Sequence, residues 1–227
     1  SLDKEHRRPF EWKRANPVGS LLKVRTHPEI LKLFIAWFLV YLASHAVQTN
    51  WAYFTMYKFA WDEKTVGISL GVMGAFTAFV QGFLIRKVHP KLGSERSILY
   101  GIMFYCTGML LFAFAQKEWM MYAILAIYSL DVIAGPALQS VISSKVSPKE
   151  QGDVQGALTS VISITSIIGP LLMTQIFYFF THPDAKIKLL TLELKPPFQF
   201  SGAPFFLGFV LMAVSAYFVY YVFHRKK

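Results

Sequence analysis

Residues 119–146 read WMMYAILAIYSLDVIAGPALQSVISSKV. From Trp119 to Ser144 the only charge is Asp131. A helix needs roughly 20 apolar residues to cross about 30 Å of hydrocarbon, and this stretch has more. It therefore reads as a membrane span with a carboxylate near its middle. Such a group costs about 2.5 kcal/mol or more in lipid, so it belongs against a bundle interior or an aqueous cavity. The question is what the other apolar segments build around it.

The whole chain repeats this pattern. Its 227 residues are 54% hydrophobic and only 16% charged, where a soluble domain carries about 25% charge. The charges gather between long apolar runs, which lack the polar faces of soluble core helices. Six spans follow, at roughly 31–57, 65–86, 97–115, 119–145, 153–181 and 203–224. The fold class expected is an all-α integral membrane bundle of six transmembrane helices. Gly135-Pro136 and Gly169-Pro170 fall inside the fourth and fifth spans, where proline kinks a helix and frees a carbonyl.

The net charge of +10 does not point to nucleic acid, because the basic residues sit at loop ends. Lys58, Lys64, Lys117, Lys186, Lys188 and Lys195 fall on one side of the membrane, and all the others of the 23 Lys and Arg on the opposite side. The positive-inside rule then expects both termini in the cytoplasm. The single cysteine, Cys106, allows no intrachain disulfide. No metal-ligand spacing, nucleophile–base motif or phosphate loop suggests an enzyme. Residues 1–30 are basic and carry Pro9, Pro17 and Pro28, which reads as a cytoplasmic linker or a short interfacial helix over its last part. KIKLLTLELK, 186–195, alternates like a hairpin, and a mobile loop fits equally well.

Polarity enters the membrane in two spans. The first carries Ser44, His45, Gln48, Thr49 and Asn50; the fourth carries Ser129, Asp131, Gln139 and Ser140. His45 and Gln48 are three apart and share a helix face. Asp131 and Gln139 are eight apart and share one roughly. His45, Gln48, Asn50, Asp131 and Gln139 are the candidate cavity residues. For Asp131, a proton or substrate role competes with a carboxyl satisfied by hydroxyls or water near a kink. His45 titrates near neutrality and suits a proton carrier, or one structural hydrogen bond. Trp51, Tyr53 and Tyr57 fit an aromatic belt or a substrate cage. Gly71, Gly74 and Gly82 on span two, Gly101 and Gly108 on span three, and the Gly156, Ser160, Ser163, Ser166 face of span five read as close-packing surfaces. The polar spans are the first and fourth, as in bundles built from two inverted three-helix repeats.

Several stretches resemble one family. RRPFEWKRANPVGSLL resembles a central cytoplasmic loop, ASHAVQTNWAYFTMYKFAW a seventh helix, and GPALQSVISSKVSPKEQGDVQGALTSVISITSIIGPLLMTQIF the tenth and eleventh helices of the major facilitator superfamily. The resemblance is to its tetracycline-resistance-type drug:proton antiporters. SGAPFFLGFVL resembles the start of a twelfth helix. GFLIRKVHPKLGSERS resembles the superfamily's cytoplasmic loop motif through Gly82, Arg86, Lys87, Gly93 and Arg96, although the acid usual at the helix end is missing. Asp131 stands where relatives often have a small residue.

The resemblance implies one half of a major facilitator fold: a linker over 1–30 and a C-terminal six-helix domain over 31–227. It implies a proton-coupled exporter of tetracycline-like or other amphiphilic drugs, driven by the proton gradient with no bound cofactor, in a bacterial inner membrane. The implied partner is a missing N-terminal six-helix half. The alternatives are a half-size transporter acting as a homodimer, or a non-transporting scaffold or sensor.

Overall fold

The structure is a computed structural model that describes residues 28–148, 150–183, 187–189 and 192–224. The basic segment 1–27 and the C-terminal Arg225, Lys226 and Lys227 lie outside the described residues.

Six helices are long and apolar enough to cross a membrane: α1 (Glu29–Phe59), α2 (Glu63–Lys87), α3 (Pro90–Phe114), α4 (Glu118–Ser144), α5 (Gln151–Thr181) and α6 (Ala203–His224). This is the expected six-helix bundle. The sixth span falls at its expected limits, four others differ by one or two residues, and the third begins seven residues early, at Pro90 instead of 97. The cause is Gly93, whose φ of 74° and ψ of 169° let the chain turn while helix resumes at once. Ser97 steadies the restart by donating to the Gly93 carbonyl at 2.7 Å. This backbone region is essentially closed to other residues, so Gly93→Ala is expected to cost about 1–3 kcal/mol. A thermal shift of the solubilised protein measures it. An unchanged midpoint would show that the turn relaxes freely.

Packing follows a simple exchange rule. α1 packs on α5 and α6; α4 packs on α2 and α3; α3 and α6 pack on each other. Swapping α1 with α4, α2 with α5 and α3 with α6 leaves this pattern unchanged, as two three-helix repeats require. An aromatic cluster holds the centre. Phe54 meets Phe205 at 4.9 Å between ring centroids, Phe205 meets Phe112 at 5.7 Å, and Phe112 meets Trp51 at 5.2 Å. These contacts tie α1, α3 and α6 together. Ser215 adds a buried hydrogen bond to the Ala36 carbonyl, 3.1 Å away.

Glycine decides where helices approach closely. A Cβ at Gly101 would fall 2.7 Å from that of Ala134, and one at Gly108 would fall 3.1 Å from Tyr128. Both α3 glycines therefore bring α4 near, as expected. The α2 glycines differ from expectation: Gly71, Gly74 and Gly82 have nothing within 4 Å of a would-be Cβ. On α5, Ser160, Ser163 and Ser166 donate back to carbonyls of their own helix, and Gly156 is exposed. These small-residue faces look away from the six-helix core.

Outside the spans, Asp62 caps α2 by accepting from the Thr65 N–H at 2.8 Å. Hydrogen bonding to Thr65 holds its carboxyl below the usual range. In the 186–195 stretch, β1 (Ile187–Leu189) pairs antiparallel with β2 (Leu192–Leu194), as one of the two expected readings has it, and the residues that join them lie outside the described residues.

Candidate functional site

Asp131 lies halfway along α4, about 20 Å from either end at 1.5 Å per residue. The helix is irregular there. Ser129–Ile133 tightens into a 3-10 stretch, and α-helix resumes at Ala134. Pro136 explains the position: it has no N–H for the Val132 carbonyl, and its ring crowds that carbonyl. Ser129 donates to the Leu125 carbonyl at 2.7 Å, part of the same local adjustment. Alongside, Val80–Leu84 of α2 widens into a π turn that touches the 3-10 stretch. Such irregular turns often mark functional positions.

A pocket of about 370 Å³ opens beside these turns. Three helix faces build it at turn spacing. Tyr128, Asp131 and Gly135 come from α4; Tyr41, Ser44 and Gln48 from α1; Leu70, Met73 and Thr77 from α2. Tyr105 of α3 closes one wall, its ring 5.2 Å from that of Tyr128. Gln48 donates to Ser44 Oγ at 3.0 Å, and Ser44 donates to the Tyr41 carbonyl at 2.7 Å. Among the described residues Asp131 has no hydrogen-bond or ion-pair partner, and no Lys, Arg or His lines the pocket. The size and the mixed polar and apolar lining suit a small organic ligand.

The expected cavity residues separate here. Gln48 and Asp131 come together in this pocket. His45 does not line the pocket; it is buried, its ring against Gly169 of α5, where a Cβ would clash. Gly169 thus seats His45 just before Pro170. Asn50 is wholly buried in the core, and neither of its side-chain polar atoms has a partner. Gln139 turns to α5: it donates to Gln155 Oε1 at 2.9 Å, and Gln155 donates to Ser143 Oγ at 2.9 Å. The 3-10 stretch accounts for this turn, since each 3-10 residue rotates about 20° further than an α residue. The eight-residue spacing therefore overshoots the shared face. Trp51 is a core residue, donating to Ser69 Oγ on α2 at 2.9 Å, while Tyr53 and Tyr57 are exposed beside Phe177.

Tyr41, Thr77, Tyr105 and Tyr128 join the site without having been singled out from the sequence. Tyr128 was legible, standing three residues before Asp131 on the same helix face. Tyr105 was not, because only the Gly101 and Gly108 contacts bring α3 so near. Of the loop motif, Gly82 lies in the π turn, Gly93 makes the kink, Arg86 and Lys87 are exposed at the end of α2, and Arg96 is exposed in α3. At the same ends of the helices, Lys145 of α4 pairs with Glu29 of α1 at 3.1 Å. No group of three His, Cys, Asp or Glu able to hold a metal occurs among the described residues.

Sequence comparison gives this arrangement a family. The pattern of the Major Facilitator Superfamily matches residues 2–170. The class C tetracycline resistance protein of Escherichia coli is 32% identical over 174 residues, covering 77% of this chain and 44% of that protein. The class G tetracycline resistance protein of Vibrio anguillarum is 36% identical over 64% of this chain and 37% of its own length. The Hippocampus abundant transcript 1 protein of Homo sapiens is 27% identical over 78% of this chain and 36% of its own length. The chain spans less than half the length of each of these relatives. A six-helix, multi-pass membrane bundle with exchangeable three-helix units, matched by the family pattern over most of its length, belongs to the Major Facilitator Superfamily.

Proposed function

We infer that this bundle is one half of a proton-coupled drug exporter and that the Asp131 pocket is its part of a central substrate cavity. The observation that carries the reading is a carboxyl halfway along a span-length helix that lines a pocket and has no hydrogen-bond or ion-pair partner among the described residues. An intramembrane acid is costly and is normally kept for transport or proton work. The names of the tetracycline resistance relatives supply the drug class. A proton and a substrate competing for Asp131 would couple the two fluxes, since each biases the inward–outward equilibrium by its own differential affinity.

Alternating access needs a second unit to rock against. The outward small-residue faces of α2 and α5 support such a partner, because small residues let membrane helices approach closely. A six-helix segment of the same polypeptide fits, as the length of the relatives suggests. The basic α2–α3 turn, with the adjoining ends of α1 and α4, is assigned to the cytoplasmic side by the excess of Lys and Arg.

Drug accumulation in cells expressing the natural full-length protein tests the reading. Lowered accumulation of at least one tetracycline or amphiphilic drug, reversed by collapsing the proton gradient, is expected. Unchanged accumulation across a broad panel would refute export.

A further inference from the structure

A second pocket, of about 520 Å³, lies where α3 and α5 end and α6 begins, and it shares no lining residue with the Asp131 pocket. We propose that it holds one acyl chain of a membrane phospholipid. Its volume is that of a ligand site. Five phenylalanines dominate the lining: Phe114 of α3, Phe180 of α5, Phe198 and Phe200 of the loop before α6, and Phe206 of α6. No polar or charged side chain lines it among the described residues. The rings form a continuous wall. Phe180 meets Phe198 at 6.0 Å between centroids, Phe198 meets Phe200 at 6.3 Å, and Phe200 meets Phe114 at 5.4 Å. The loop that carries two of them is pinned. The Phe200 N–H donates to the Phe180 carbonyl at 2.9 Å, which ties it to α5. Gly202 ties it to α3, because a Cβ there would run into the Ala113 carbonyl.

Depth, access and chemistry choose the occupant. Val210, the deepest lining residue of α6, lies about 10 Å from the start of that helix at 1.5 Å per residue. One leaflet's hydrocarbon is about 15 Å deep, half of the core, so the pocket falls within the leaflet opposite the basic α2–α3 turn. Phe206, Val210, Val214 and Tyr217 are all exposed and recur at helical spacing, so the pocket runs on into an apolar stripe down α6. On a spanning helix such a stripe meets hydrocarbon. An acyl chain can therefore enter sideways while its headgroup stays at the interface. The small-residue faces assigned to a second six-helix unit contribute nothing to the lining. The lining also offers no donor to a polar ligand and no cation to the carboxylate of a free fatty acid, which leaves a chain carried by a phospholipid. Moving that chain from bilayer to pocket gains no hydrophobic energy, since lipid tails are already apolar. Retention comes from closer dispersion contact with the rings, so shape governs it and the preference is severalfold.

Photolabelling of the purified, natural full-length protein in phosphatidylcholine nanodiscs tests this. The probe is phosphatidylcholine with a diazirine in one acyl chain, and labelled residues are mapped by peptide mass spectrometry. Label is expected at 176–180 and 198–210, severalfold above that at 214–221 farther down α6. Phe198→Ala removes part of the wall, and Val210→Trp fills the pocket. Both positions are exposed, so neither change disturbs the core. Each should cut the pocket label severalfold and leave the 214–221 label unchanged. A free fatty acid carrying the same diazirine, at equal mole fraction, should label the pocket less than the phospholipid does. Label spread evenly along α6, no label in the pocket, pocket label unmoved by both substitutions, or stronger labelling by the fatty acid would overturn the proposal.

Discussion

Asp131→Asn is expected to lower drug export at least tenfold in the natural full-length protein, with membrane abundance unchanged. A tenfold loss is about 1.4 kcal/mol of transition-state stabilisation. Asparagine keeps the shape of the side chain, so the 3-10 turn and the Tyr128 wall need not move. It removes the negative charge and the exchangeable proton together. Burying a neutral amide at this depth also costs less than burying a carboxylate, so the variant should be at least as stable as the parent. A merely structural Asp131 would show the opposite pattern, with export kept per molecule and abundance altered. Initial efflux rates from preloaded cells, normalised to protein in the membrane, separate the two. Wild-type efflux at normal abundance would remove Asp131 from the mechanism.

Gly101→Val is expected to have the largest structural effect. A Cβ there would lie 2.7 Å from the Ala134 Cβ and 2.9 Å from the Ala134 backbone nitrogen. Backbone cannot step aside as a flexible side-chain tip can, so α3 and α4 would have to separate. Overpacking of this kind costs about 1–3 kcal/mol, and more where the backbone is held. Ala134 lines the Asp131 pocket, so ligand binding should fall with the unfolding midpoint. Gly152→Ala serves as control, because a Cβ there meets nothing within 4 Å. An unchanged midpoint in Gly101→Val would mean that the α3–α4 contact is looser than described.

The sequence was most informative where one physical rule governs. Span length and hydropathy placed all six helices, because a bilayer admits few alternatives. Asp131 was legible as a buried charge for the same reason. Helix rotation was not legible. His45 and Gln48 were expected together at a cavity, and only Gln48 lines the pocket, while the His45 ring packs against Gly169 of α5. Gln139 was expected near Asp131 until the 3-10 stretch changed the phase of α4. Periodicity assumes an unbroken 3.6-residue turn, and Pro136 breaks that assumption where the site lies. The glycines show a similar limit: their type signals close approach, but only contacts reveal that Gly101 meets α4 while Gly71 meets nothing. Asn50, buried with no partner for either polar atom, has no sequence signal that separates it from Gln48.

The central claim is that Asp131 faces an aqueous pocket that substrate enters. The most direct measurement places a cysteine at Thr77, which lines the same pocket, in the full-length protein, with Cys106 and other native thiols replaced by serine. Membrane-impermeant thiol reagents are then applied from each side of the membrane in turn. Thr77→Cys is expected to react from at least one side, and bound substrate to slow the reaction severalfold. Failure to react from either side in a folded, membrane-inserted protein would contradict it, as would a reaction rate that substrate does not change.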